Sequence, residues 1–147
     1  MNNTKNLSEI ITAVKNVYEA AQYNLGLKSV FVGDQELVPN TPCLCIEPQG
    51  VDRESTGLSF QTTNHFSLYL ILYHGIIQDS QKNIQECLEF AELVSDELHK
   101  DVNKNLGGLL IHGYVTSSKA GIAPRNKNWW YATRMTYQGV SKTLLYN

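Results

Sequence analysis

The side chains with the widest chemical repertoire in this sequence are three cysteines, Cys43, Cys45 and Cys87, and four histidines, His65, His74, His99 and His112. A Cys-x-Cys pair on a strand projects both thiols to one face, an arrangement that could begin a metal site if His65 or Cys87 completed it. Against that, the chain holds no second closely spaced ligand pair, and Cys87 falls on the apolar stripe of a helix. Reduced cysteine is among the most buried residue types, so burial is the favoured reading and no metal is expected. A thiol nucleophile needs a neighbouring base in an electropositive, accessible setting. The histidines instead occupy strand, strand-end and helix-end positions, with no Cys/His signature around them. No Gly-x-Ser-x-Gly elbow is present. The stretch Gly139-Val140-Ser141-Lys142-Thr143 echoes a phosphate loop, but it lacks the glycine before the lysine and leaves no helix to hold the anion. The sequence therefore predicts no catalytic residue, no cofactor and no enzyme.

Charge narrows the choice further. The formal net charge of −2 is too small to draw nucleic acid non-specifically, because that binding grows with the number of phosphates neutralised. Glu86, Glu89, Glu92, Asp96 and Glu97 cluster at helical spacing, which is the pattern of a solvated helix face and also of an acidic lining around a DNA conduit. The first twenty residues are polar and mixed in charge, unlike a secretory signal, and no apolar run approaches the roughly 20 residues that span a bilayer. An odd number of cysteines with no export signal argues for reduced thiols in a cytosolic setting. The Asn-x-Thr triplet at Asn2 is then a chance match.

The elements that position these groups follow from hydrophobic period. Leu7, Ile10, Ile11, Val14, Val17, Tyr18 and Ala21 recur every three or four residues and predict a helix over about 7–25, started by the pair Asn6 and Glu9 and stopped by Gly26. Ile84, Cys87, Leu88, Ala91, Val94 and Leu98 predict a second helix over about 80–100, capped by Asp79 or Ser80. Between and after the helices the period drops to two. A long strand runs over 62–75, with Phe66, Leu68, Leu70 and Leu72 on one face and His65, Ser67, Tyr69, Ile71 and Tyr73 on the other. A shorter strand at 43–47 lies between Pro42 and Pro48, joined to the long one by a hairpin or flexible loop over 49–61. Further strands are predicted at 109–116 and from Trp129 to about Gln138, with an exposed loop over 117–128 between them. The composition, 42% apolar and 18% charged, suits one globular core, and no repeat or linker divides the chain. The expected fold is a single α+β domain in the order α-β-β-α-β-β, an antiparallel-rich mixed sheet of about four main strands packed against two helices.

Adjacent strand residues point to opposite faces, so Trp129 and Tyr131 cannot enter the same layer as Trp130. Either the preceding loop covers one side or another subunit does, and Trp, Tyr and Arg are the residues enriched at the centres of subunit contacts. Tyr69, Ile71 and Tyr73 make the second face of the long strand apolar as well. On this basis Tyr69, Ile71, Tyr73, Arg125, Trp129, Trp130 and Tyr131 are the candidate subunit interface.

The leading helix, the Pro-Cys-Leu-Cys-Ile-Glu-Pro strand, the loop over 49–61, the strand from Phe66 to Tyr73, the helix over 80–100 and the closing strands with Trp129-Trp130-Tyr131-Ala132-Thr133-Arg134 together resemble the tail terminator, or tail-completion, proteins of long-tailed bacteriophages. The resemblance covers nearly the whole chain and rests on length, order and pattern. It implies a virion protein of the tail and neck, assembled in the host cytoplasm. Such a protein forms a hexameric ring on the last ring of tail-tube protein, ends tube growth and presents the joint to the head-tail connector protein. It implies no catalytic residues, no membrane, and DNA only in passage through the lumen. By position, Val51, Asp52, Arg53, Leu58, Phe60, Lys119 and Lys127 would be the loop residues that reach partners. Alternatives are another head-tail joining or tail-tube protein or, from a different class, a small enzyme or ligand-binding domain assembled from His65, Tyr69, His112 and Arg134.

Overall fold

The computed structural model describes residues 6–33, 38, 40–55, 61–76 and 84–144. Helix α1 (Leu7–Leu25) starts where the Asn6 side chain accepts the Glu9 amide at 2.8 Å, and it stops at Gly26, whose φ of 80° suits a residue without Cβ. Its stripe of Ile10, Ile11, Val14, Tyr18, Ala21 and Leu25 is buried. Strands β1 (Ser29–Val32), β2 (Cys43–Ser55) and β3 (Gln61–Ile76) follow, then helix α2 (Ile84–His99) and strands β4 (His112–Arg125) and β5 (Asn128–Leu144). The sheet order is β1-β2-β3-β5-β4, with β1 parallel to β2 and every other pair antiparallel. This is the α+β class expected, with the two helices on one face and five strands.

Three differences from the expectation have local causes. Strand β1 has only four residues, too few for alternation to show. Strand β2 does not end at Pro48. A bulge between Pro48 and Gly50 absorbs the irregularity, and pairing resumes from Gly50↔Ser67 to Ser55↔Thr62, so 49–55 extends the strand and the pairing supports the hairpin of the two alternatives for 49–61. In the same way 117–128 is not an open loop but the tip of a β4–β5 hairpin, paired out to Arg125↔Asn128. Its two turn residues, Asn126 and Lys127, have φ of 48° and 66°, the left-handed pair that a two-residue turn matching sheet twist requires. Most residues of these extensions are exposed, so the apolar alternation that marks a buried strand is missing from them. The N-cap expected at Asp79 or Ser80 lies outside the described residues.

On the helix side, Leu44, Ile46, Phe66, Leu68, Leu70, Leu72, Met135 and Tyr137 pack with Ile10, Val14, Tyr18, Ala91, Val94 and Leu98 in one core. The Tyr18 hydroxyl donates to the Val94 carbonyl at 2.7 Å and ties α1 to α2 inside that core. Leu110 and Tyr137 lie against the cross-strand pair Gly113↔Gly139. A Cβ on Gly113 would collide with the Tyr137 hydroxyl, and one on Gly139 would come within 2.5 Å of Leu110 Cδ1. The sheet is thereby drawn tight beneath the segment that follows α2, whose end is held by the Val115 amide donating to His99 Nε2 at 3.0 Å.

Candidate functional site

Strand register decides what gathers on the face away from the helices. One cross-strand row is Cys45↔Ile71↔Arg134↔Lys119, and the next is Cys43↔Tyr73↔Ala132↔Gly121. Glu47 stands opposite Tyr69 on β2 and β3, and Ala123 opposite Trp130 at the arm end. Val38, Cys43, Cys45, Ile71, Tyr73, Trp130 and Ala132 form a second, smaller core here. Trp130 meets Tyr73 edge to face at 6.3 Å, and its indole N–H donates to the Arg125 carbonyl at 3.1 Å, closing the hairpin on itself. The Arg125 guanidinium lies 5.7 Å from the Tyr73 ring centre, and that of Arg134 lies 4.6 Å from Tyr69. Together these residues leave an open groove of about 380 Å³, with Ile71, Tyr73 and Ala132 along it and with Lys119, Arg125 and Arg134 against a single carboxylate, Glu47.

The candidate interface residues therefore divide. Ile71, Tyr73 and Trp130 are buried within the chain, so they shape the groove from beneath instead of waiting bare for cover, because the β4–β5 hairpin and the arginines already lie over them. Tyr69, Arg125 and Tyr131 are half-buried, and Trp129 is 52% exposed. The two tryptophans part as strand alternation requires. Trp129 points to the opposite face of the arm, opposite Pro124 and two cross-strand pairs from Ile122, which is 58% exposed. Of the residues expected in partner-contacting loops, Asp52 and Arg53 are exposed on the extended β2, and Val51 is half-buried against the main core. Lys119 is exposed on β4, and Lys127 sits at the hairpin tip. Leu58 and Phe60 lie outside the described residues.

A second cleft on the same face is lined by Asp52, His65, Ser67, His112, Tyr114 and Gln138. His65 and His112 both stand beside Val140, one from each neighbouring strand, so their backbones are two strand spacings apart, roughly 10 Å. Each points to solvent, and His65 Nε2 is 4.0 Å from Glu54 Oε2. The scattered set His65, Tyr69, His112 and Arg134 does not converge: the histidines line this cleft, while Tyr69 and Arg134 line the first. His74 is buried on the helix side, its Nε2 2.8 Å from Thr133 Oγ1 and its ring against Phe90. Cys43 and Cys45 are buried on the groove side and Cys87 on the helix, so the sheet separates the thiols. Among the described residues no group of three His, Cys, Asp or Glu side chains is placed to hold a metal ion.

Lys119, Arg125 and Arg134 are each candidates from sequence, under separate readings, and their convergence into one cationic rim is what the sequence does not show. With 117–125 taken as loop, Lys119, Gly121, Ala123 and Arg125 had no common side; with it as strand they alternate onto the groove. Helix α2 supplies the opposite sign, with Glu89, Glu92 and Asp96 exposed. No described helix is long and apolar enough to cross a membrane.

The chain matches no protein-family model and no curated protein. Among solved structures it is similar to the nucleotide-free catalytic domain of the histidine kinase ThkA, at 11% identity over 92% of this chain and 96% of that one, with a TM-score of 0.24. A likeness at that score carries no argument about this chain's fold or function.

Proposed function

We propose that this chain is a structural assembly protein of the tail-terminator kind, forming a ring at the head-proximal end of a phage tail tube, where it ends tube growth and provides the joint to the head connector. The observation that supports this most directly is the β4–β5 arm. Strand β4 is a 14-residue edge that pairs, among the described strands, with β5 alone, and the arm carries Ile122 and Trp129 in solvent. A long edge bearing large apolar side chains offers another chain a place to dock, and the Val115/Ser117 bulge, Lys119 and Pro124 restrict strand-to-strand addition along it, so the contact falls to side chains. A closed ring needs two unlike, complementary patches on each subunit, and closure itself limits growth. A sheet with helices on one face and an open groove on the other offers surfaces of that kind.

The test is direct. Purified chain examined by sedimentation and negative-stain electron microscopy is expected to give closed rings, and particles assembled without it are expected to carry overlong tails. Normal tails beside unjoined heads would assign it to the head-joining side instead. A strictly monomeric chain at high micromolar concentration would remove the assembly reading.

A further inference from the structure

Two surfaces on opposite sides of this chain carry unbalanced charge of opposite sign. In the groove, Lys119 and Arg134 stand directly opposite one another across β4 and β5, both exposed, and like charges in that relation destabilise a sheet. The stacking of Arg134 on Tyr69 takes up one face of that guanidinium but leaves its charge. Across the molecule, α2 holds five acidic side chains and no lysine or arginine in its sixteen residues. Glu89 and Glu92 are three apart and Glu92 and Asp96 four apart, spacings at which like charges repel on a helix. Each surface also has an apolar part. Ile71 and Ala132 form the buried floor of the groove, and Ile84 and Leu88, 50% and 43% exposed, stand one turn apart on α2 in line with Glu92.

We infer that the outward stripe of α2 in one copy docks into the groove of the next copy, with Glu89 and Glu92 against Lys119 and Arg134 and with Ile84 and Leu88 brought out of solvent beside them. Docking relieves both repulsions at once and gives the sheet a helical layer on its second face. Because the two surfaces differ, the contact repeats head to tail around an axis. The inference rests on the assembly reading above and assigns the surfaces that meet.

The experiment uses the full chain and two exposed pairs, a groove variant, Lys119→Glu with Arg134→Glu, and a helix variant, Glu89→Lys with Glu92→Lys. Far-UV circular dichroism and melting confirm that each is folded, and the neutral changes Arg134→Gln and Glu92→Gln serve if a reversal is not. Sedimentation is expected to show each variant associating at least about tenfold more weakly than the parent. An equimolar mixture of the two is expected to recover association, since each then offers the other a complementary face. If the parent assembles and neither reversal weakens it, the surfaces are wrongly assigned while the assembly reading stands. If the groove variant weakens but mixing does not restore it, the groove takes another anionic occupant and the inference falls. A parent that stays monomeric overturns the inference and the assembly reading together.

Discussion

Tyr18 and Tyr137 are both fully buried in the main core, yet the same substitution is expected to act on them with opposite sign. The Tyr18 hydroxyl donates to the Val94 carbonyl at 2.7 Å, whereas the Tyr137 hydroxyl finds no hydrogen-bond partner among the described residues. Tyr18→Phe removes a made bond and should cost about 1 kcal/mol, while Tyr137→Phe removes a desolvated, unpaired hydroxyl and should be neutral or stabilise by up to about 1 kcal/mol. In a domain of this size 1 kcal/mol corresponds to roughly 2–4 °C in melting temperature. Alkaline pH sharpens the contrast. Burial pushes Tyr137 up to about 12, and burial, with the Glu97 carboxylate adding to it, holds Tyr18 well above the ordinary value. The folded-state values are raised, so their contribution is complete below the unfolded value near 10 and is lost as pH climbs towards the folded ones. Tyr137 alone should account for about 2 kcal/mol of stability lost by pH 12, which Tyr137→Phe abolishes. Urea titrations between pH 7 and 11, at concentrations low enough to exclude assembly, measure both effects. If Tyr137→Phe destabilised the neutral protein as much as Tyr18→Phe, or left the alkaline slope unchanged, the account of an unpaired hydroxyl in this core would be wrong.

Other expectations are simpler. Lys127 occupies a left-handed turn position at φ 66°, so Lys127→Gly should stabilise the hairpin by about 0.5–1 kcal/mol, read from the denaturation midpoint. Gly113→Ala forces a methyl group onto the Tyr137 hydroxyl and should destabilise by about 1–3 kcal/mol. Asn6→Ala removes the cap on the Glu9 amide and should cost about 1 kcal/mol, with faster amide exchange confined to the first turn of α1.

The parts of this fold that could be read from sequence are those where local chemistry and burial coincide. Helix α1 shows its cap, its stripe and its glycine stop, and β3 shows alternating burial from Gln61 to Leu70 and an apolar second face beyond it. Strand β1 escaped because four residues carry no period, and the outer halves of β2 and β4 escaped because most of their residues are exposed and show no apolar alternation. The site followed the same logic. Alternation alone separated Trp129 from Trp130. That Trp130 is sealed by its own hairpin depends on a hydrogen bond to Arg125 five residues back, and on Tyr73 from another strand, neither of which is visible in a window of sequence. The convergence of the groove cations was hidden for want of a strand register for 117–125. Within the groove, Tyr69, Ile71, Tyr73 and Arg125 stand together in the candidate interface read from sequence, whereas Lys119 and Arg134 join them only through the register.

The neighbouring indoles also give the chain an optical handle of its own. Trp130, 6% exposed, should emit towards the blue and resist acrylamide, while Trp129, 52% exposed, should emit towards the red and be quenched freely. Anything that settles on the arm would shift and protect only the second component, so docking there becomes visible in the intrinsic fluorescence without a label.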